Sequence, residues 1–144
     1  MSQPSLRVIA GTSLLKERLG ELYAARRRGD ADTFAAAFAE DGVFRVQADS
    51  RLVPEAGPFR GRAAIAKGFR DLVKRYEYVD GLVVDITADV DVAVVRRQLT
   101  LRSNTTGAIG DFDLADFVRF HNGEIIEIVQ YMDTASLAVL AGRI

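Results

Sequence analysis

Hydrophobic residues recur with a helical period in the first half of the chain and alternate with polar ones in the second. Leu15, Leu19, Leu22 and Tyr23 mark one helix face, with Ser13 as its N-cap and residues 1–12 ahead of it as a flexible arm. That helix runs into Arg26-Arg27-Arg28 and stops at Gly29, which sets solvated cations at its negative end. Asp30 caps a second, short helix with Phe34, Ala35, Phe38 and Ala39 along one side, ended by Asp41-Gly42. Residues 43–48 read as a strand, in which Phe44 and Val46 alternate with Arg45 and Gln47. Pro54, Gly57, Pro58 and Gly61 make 49–61 a loop, long enough to serve as a rim or lid. A third helix over 62–76 gathers Ile65, Phe69, Leu72, Val73 and Tyr76. Strands are then predicted at 78–87 and 92–102, a loop at 103–110, a terminal hairpin within 111–133 and a tail helix at 134–141.

The terminal hairpin decides which side chains share a face, because a one-residue slip would turn every one of them over. A three-residue loop with Gly123 in the left-handed conformation gathers Leu114, Asp116, Val118 and Phe120 with Ile126, Ile128, Gln130 and Met132. The opposite face then holds Ala115, Phe117 and Arg119 with Ile125, Glu127, Val129 and Tyr131, and Arg119 lies diagonal to Glu127. Pairing Arg102 with Asp111 sets Arg97 opposite Asp116, Leu99 opposite Leu114 and Val95 opposite Val118. One apolar face thereby carries a carboxylate, an amide and a cation, as the wall of a small-molecule pocket does. Helices early and strands late give an α+β fold: a curved, mixed or antiparallel sheet packed on about three helices.

Composition removes several classes of function. The 144 residues make one domain over 13–144, with 49% hydrophobic and 27% charged residues, ordinary for a globule with its own core. Lys and Arg number 19 against 20 Asp and Glu, so no overall field draws in nucleic acid or an anionic membrane. Cysteine is absent and histidine occurs once, which leaves no thiolate chemistry and no His-rich metal site. The expected cofactor is none. No run reaches the length of a membrane span, and the cytoplasm is the expected location.

Three stretches resemble the nuclear transport factor 2-like superfamily, in particular its SnoaL-like and ketosteroid isomerase-like members. They are RRGDADTFAAAFAEDGVF (residues 27–44), PFRGRAAIAKGF (58–69) and DFVRFHNGEIIEIVQYMD (116–133). The resemblance implies a cone-like curved sheet with an apolar pocket and a homodimer. Asp116 falls where ketosteroid isomerases keep a carboxylic acid that helps form the oxyanion hole. Their general-base Asp falls at Val46 and their first-helix Tyr near Leu22, which argues against steroid isomerisation by that route. Against limonene epoxide hydrolase, the central Arg falls on Arg97, but its flanking acids fall on Leu99 and Gln130.

The candidate catalytic pair is therefore Asp116 with Arg97, and Gln130 is the orienting amide. An apolar cavity favours a neutral acid and a guanidinium favours the carboxylate; either form can move a proton. The same pair also reads as a structural ion pair inside the sheet. Expected pocket walls are Phe44, Val46, Phe69, Leu99, Leu114, Val118, Ile128 and Met132, with Tyr23 and Tyr76 at core edges whose hydroxyls could reach inward. Two functions fit: a cofactor-independent acid/base enzyme (isomerase, cyclase, dehydratase or hydratase type) on a small apolar compound, or a non-catalytic binding or dimerisation module. The homodimer would use the outer face, through Ala115, Phe117, Val129 and Tyr131, with Ile125 near the hairpin end.

Overall fold

The computed structural model describes residues 4–144, with side chains from Ser13 onward. Its elements in chain order are α1 (Pro4–Arg27), α2 (Ala31–Ala36), β1 (Phe38–Val46), a 3-10 turn (Pro54–Ala56), β2 (Phe59–Arg60), α3 (Arg62–Arg75), β3 (Tyr76–Ala88), β4 (Val92–Ser103), β5 (Ile109–His121), β6 (Glu124–Tyr131) and α4 (Thr134–Leu140). All six strands form one sheet in the order β2-β1-β6-β5-β4-β3. Every neighbouring pair is antiparallel except β1 with β6, which is parallel. The fold is thus the expected α+β arrangement with a mixed sheet, and breaks of register within β3 and near the hairpin end of β6 bend it.

Alternation along β4 and β5 turns Ala93, Val95, Arg97 and Leu99, and Phe112, Leu114, Asp116, Val118 and Phe120, to the buried face. Leu15, Leu19 and Leu22 of α1, Phe34 of α2 and Ile65 and Phe69 of α3 pack on the Val95, Val118 and Ile128 part of that face. Each such fully buried side chain contributes about 1.5–3 kcal/mol. A second cluster gathers Val46, Val53, Tyr76 and Phe112 with Leu137 and Leu140 of α4. The tail helix therefore covers the inner side of the sheet, not the outer.

Several boundaries and registers differ from the sequence reading. Helix α1 begins at Pro4, so Ser13 lies inside it and caps nothing; residues 1–3 of the expected arm lie outside the described residues. Asp30 does cap α2, its Oδ1 accepting from the Thr33 amide at 3.1 Å. Phe38 and Ala39 belong to β1, however, not to the helix. Phe38 is fully buried in that strand, and its spacing from Phe34 satisfies a helix equally well, so periodicity alone could not separate the two. Tyr76 opens β3 instead of closing α3, and Val73 is exposed.

The β5–β6 turn is the two-residue Asn122-Gly123, both at positive φ, and not the three-residue loop. A bulge between Arg119 and Phe120 recovers the expected faces from Val118 inward but not the pairing: Phe120 pairs with Ile125, whereas Val118 pairs with Ile128 and Asp116 with Gln130, two residues from the expected register. Ile125 is consequently buried and Ile126 exposed, the reverse of the expectation, and Arg119 stands directly opposite Glu127. In β4–β5 the register is displaced by two residues. Arg102 pairs with Ile109, Arg97 with Leu114, Leu99 with Phe112 and Val95 with Asp116. A shift of two preserves the faces, so Arg97 still meets Asp116, but on the diagonal.

Candidate functional site

A cavity of about 80 Å³ lies where the two core clusters meet. Its apolar wall includes Phe69 and Leu72 of α3, Leu99 and Leu101 of β4, and Val46, Val53, Met132 and Leu137. Five polar side chains face it: Arg26, Glu55, Tyr76, Tyr78 and Gln130. The volume is well below the ~300–1,000 Å³ of a drug-sized site, so an occupant that left these side chains in place would be small.

Directly behind Gln130 lies a buried polar chain. Tyr23 Oη donates to Asp116 Oδ2 at 2.6 Å, and Arg97 Nε donates to the same oxygen at 2.9 Å. Arg97 Nη2 and Arg26 Nη2 each donate to Gln130 Oε1 at 3.1 Å, and Gln130 Nε2 reaches Met132 Sδ at 3.3 Å. Arg97 and Asp116 are both 2% exposed, and Asp116 Oδ1 is buried without a partner. Burial opposes the Arg97 charge, but Asp116 and Tyr23 outweigh it and hold the guanidinium's pKa up. Burial, then the neighbouring Asp116, raises the Tyr23 phenol well above its ordinary value, so it remains a donor at neutral pH.

Arg26 differs from Arg97. Its guanidinium lies 5.6–5.8 Å from the ring centroids of Phe44, Phe34 and Phe69, a cation–π seat. Its one side-chain hydrogen bond among the described residues goes to neutral Gln130. Burial, then repulsion from Arg97, lowers its pKa to about 10, which still leaves it charged at neutral pH.

At the second cluster, Glu55 Oε1 accepts from Tyr76 Oη at 2.6 Å and from Arg143 Nη1 at 2.9 Å. Its Oε2 is buried and unpartnered. Burial works against the Glu55 charge, but the Arg143 and Tyr76 hydrogen bonds prevail and hold its pKa below the usual value. Burial, then the bond to Glu55, pushes Tyr76 up to about 12.

Of the expected wall residues, Gln130, Val46, Phe69, Tyr76, Leu99 and Met132 line the cavity. Phe44, Val118 and Ile128 are in the core beneath it, Leu114 is buried beside Arg97 in the sheet, and Tyr23 is spent on Asp116. Asp116 and Arg97 are brought together as expected, but behind the cavity wall. Arg26 and Glu55 were missed. Arg26 sat in a triplet read as a solvated last turn. Glu55 is a single acid within Leu52-Val53-Pro54-Glu55-Ala56, and an acid alone in an apolar run was the available signal. Among the described residues, no group of three or more acidic or His side chains is placed to hold a metal ion, and no helix is long and apolar enough to cross a membrane.

The family profile of the SnoaL-like domain matches residues 19–128, most of the chain, from the last third of α1 to the first five residues of β6. The chain belongs to the SnoaL-like domain family. No curated protein matches this SnoaL-like domain significantly. Solved structures share its fold. A Bacillus subtilis protein provisionally named an isomerase superposes with a TM-score of 0.81 at 16% identity, covering 93% of this chain and 96% of its own. A nuclear transport factor 2-like protein from Burkholderia pseudomallei gives 0.80 at 18% identity, covering 89% and 97%. A Xanthomonas campestris protein provisionally named a polyketide cyclase gives 0.75 at 19% identity, covering 91% and 98%.

Proposed function

We propose that this SnoaL-like domain is a cofactor-independent acid/base enzyme of the isomerase, cyclase, dehydratase or hydratase type, acting on a small, mostly apolar compound. The observation that carries the reading is the cavity: a largely apolar wall onto which Gln130, Arg26, Glu55 and Tyr76 present polar atoms from four different elements. Gln130 orients the ligand. Asp116 and Arg97 act through it, because Arg97 fixes the Gln130 carbonyl and Asp116 fixes Arg97. The names given to the Bacillus and Xanthomonas neighbours agree with this class of chemistry. A homodimer through the outer sheet face and a cytoplasmic location belong to the same reading.

One observation favours the second reading, a binding module without turnover: the expected acid/base pair is sealed from the cavity at 2% exposure. The two separate in one experiment. The compound that co-purifies is identified by mass spectrometry, returned to the protein in deuterium oxide and followed by NMR. Acid/base chemistry washes solvent deuterium into the compound or converts it. A compound that is bound and recovered unlabelled and unchanged identifies a binding module.

A further inference from the structure

The two polar groups that the sequence reading passed over define what the cavity accepts. Arg26 brings a guanidinium onto the wall with no carboxylate in ion-pair contact among the described residues, since Asp116 is taken by Arg97. A guanidinium offers five N–H donors, and one Arg26 bond, to Gln130, is in place. A cation set among phenyl rings and beside a second guanidinium feels Asp116 only from a distance, because that carboxylate is bonded to Arg97, and has no counter-charge in direct contact. Glu55 is the converse. Its Oε1 is doubly bonded to donors, while Oε2 is buried with nothing donating to it, and the residue lines the same cavity. Arg26 sits against Phe34, Phe44 and Phe69, of which Phe69 lines the cavity, and Glu55 lines it together with Val53, Tyr76 and Leu137 of the second cluster.

We propose that the cavity takes a small bifunctional acid: a carboxylate or equivalent oxyanion against Arg26, a short apolar stretch, and a hydroxyl or amine that donates to Glu55 Oε2. The proposal rests on the cavity being the ligand site and narrows its ligand from apolar to apolar with two polar ends. The carboxylate supplies Arg26 with a counter-charge in direct contact, and the donor satisfies the orphaned oxygen of Glu55. A purely hydrocarbon ligand would do neither and would leave both groups desolvated. Arg143 prevents Glu55 from repelling the acid, because it already neutralises that carboxylate.

The test uses the full chain and a probe series of straight-chain compounds of about three to five carbons, in keeping with the small cavity: the ω-hydroxy acid, the plain acid, and its methyl ester. Binding is read by calorimetry and by NMR shifts of the Met132 methyl group. The acid should bind at least about tenfold more tightly than its ester, as a charge-assisted bond implies, and the ω-hydroxyl should add to it. Arg26→Met should erase the preference for acid over ester, and Arg26→Lys, which keeps the cation but not the fork, should retain part of it. Glu55→Gln should erase the gain from the ω-hydroxyl while the preference for acid persists. Equal binding of acid and ester to the wild type overturns the proposal yet leaves a cavity that holds apolar compounds and the function above intact. So does an acid preference that Arg26→Met leaves unchanged. Binding of no member of the series overturns the proposal, and the deuterium experiment then judges the function alone.

Discussion

Tyr76 keeps its proton where a free tyrosine would have lost it, because burial and the Glu55 bond raise its pKa to about 12. The folded chain thus holds this proton more tightly than the unfolded chain does. The resulting stability is complete below pH ~10, the ordinary tyrosine value, and drains away as pH rises towards 12. A rise of this size corresponds to at most a few kcal/mol. Tyr76→Phe should therefore flatten the fall in stability between those pH values by up to that amount. At neutral pH it should cost about 1–2 kcal/mol for the lost bond to Glu55. Urea denaturation at a series of pH values measures both, and an undiminished alkaline slope would dissolve the assigned bond. Tyr23 titrates high as well, so some slope should remain in the variant. At this scale the sequence revealed Asp116, Arg97 and Gln130 as residues of one face, because strand alternation survives a register error of two. Glu55 and Arg26 were not legible, because a loop and a helix end carry no such period and their depth is decided by what packs over them.

The loop over 49–61 is tied down rather than loose. Val53, Glu55 and Ala56 are buried, β2 pairs with β1, and Arg143 from beyond α4 donates to Leu52 O at 3.0 Å as well as to Glu55. Thr106 anchors the same tail by donating to Leu140 O at 2.7 Å. The tail helix is thus a clasp on the rim. Arg143→Ala should speed amide exchange across 49–61 by about tenfold or more, given the strength of a charge-assisted bond, while β4 and β5 keep their protection. Exchange that is unchanged in the rim, or that quickens equally throughout the sheet, would refute the clasp. Element order and type were readable from the change of period, but two junctions were not. At Phe38 helix and strand compete for the same buried ring, and at the hairpin the turn and the bulge trade the one residue that fixes the register.

The sheet's outer face leaves Phe117 and Tyr131 45% and 44% exposed, edge to face at 5.4 Å, with Ile126 beside them in the place expected for Ile125. Val129, expected on this strip, is buried, but the tail helix lies on the other side and among the described residues nothing covers Phe117 and Tyr131. A second copy related by a two-fold axis would bury it against itself, with Arg119 and Glu127 as a polar edge. Light scattering at micromolar concentration should find a dimer for the wild type and a monomer for Phe117→Glu; a monomeric wild type or a dimeric variant would exclude this interface. The parallel pairing of β1 with β6 has a different kind of consequence, one that concerns the order in which the chain is made. β1 leaves the ribosome long before Ile125, Ile128 and Gln130, the residues it must pair with, and until they arrive it has β2 alone for company. Translation that stops before Glu124 would release a short ribbon with one bare edge carrying Phe38, Phe44 and Val46, a template for pairing with another unfinished chain.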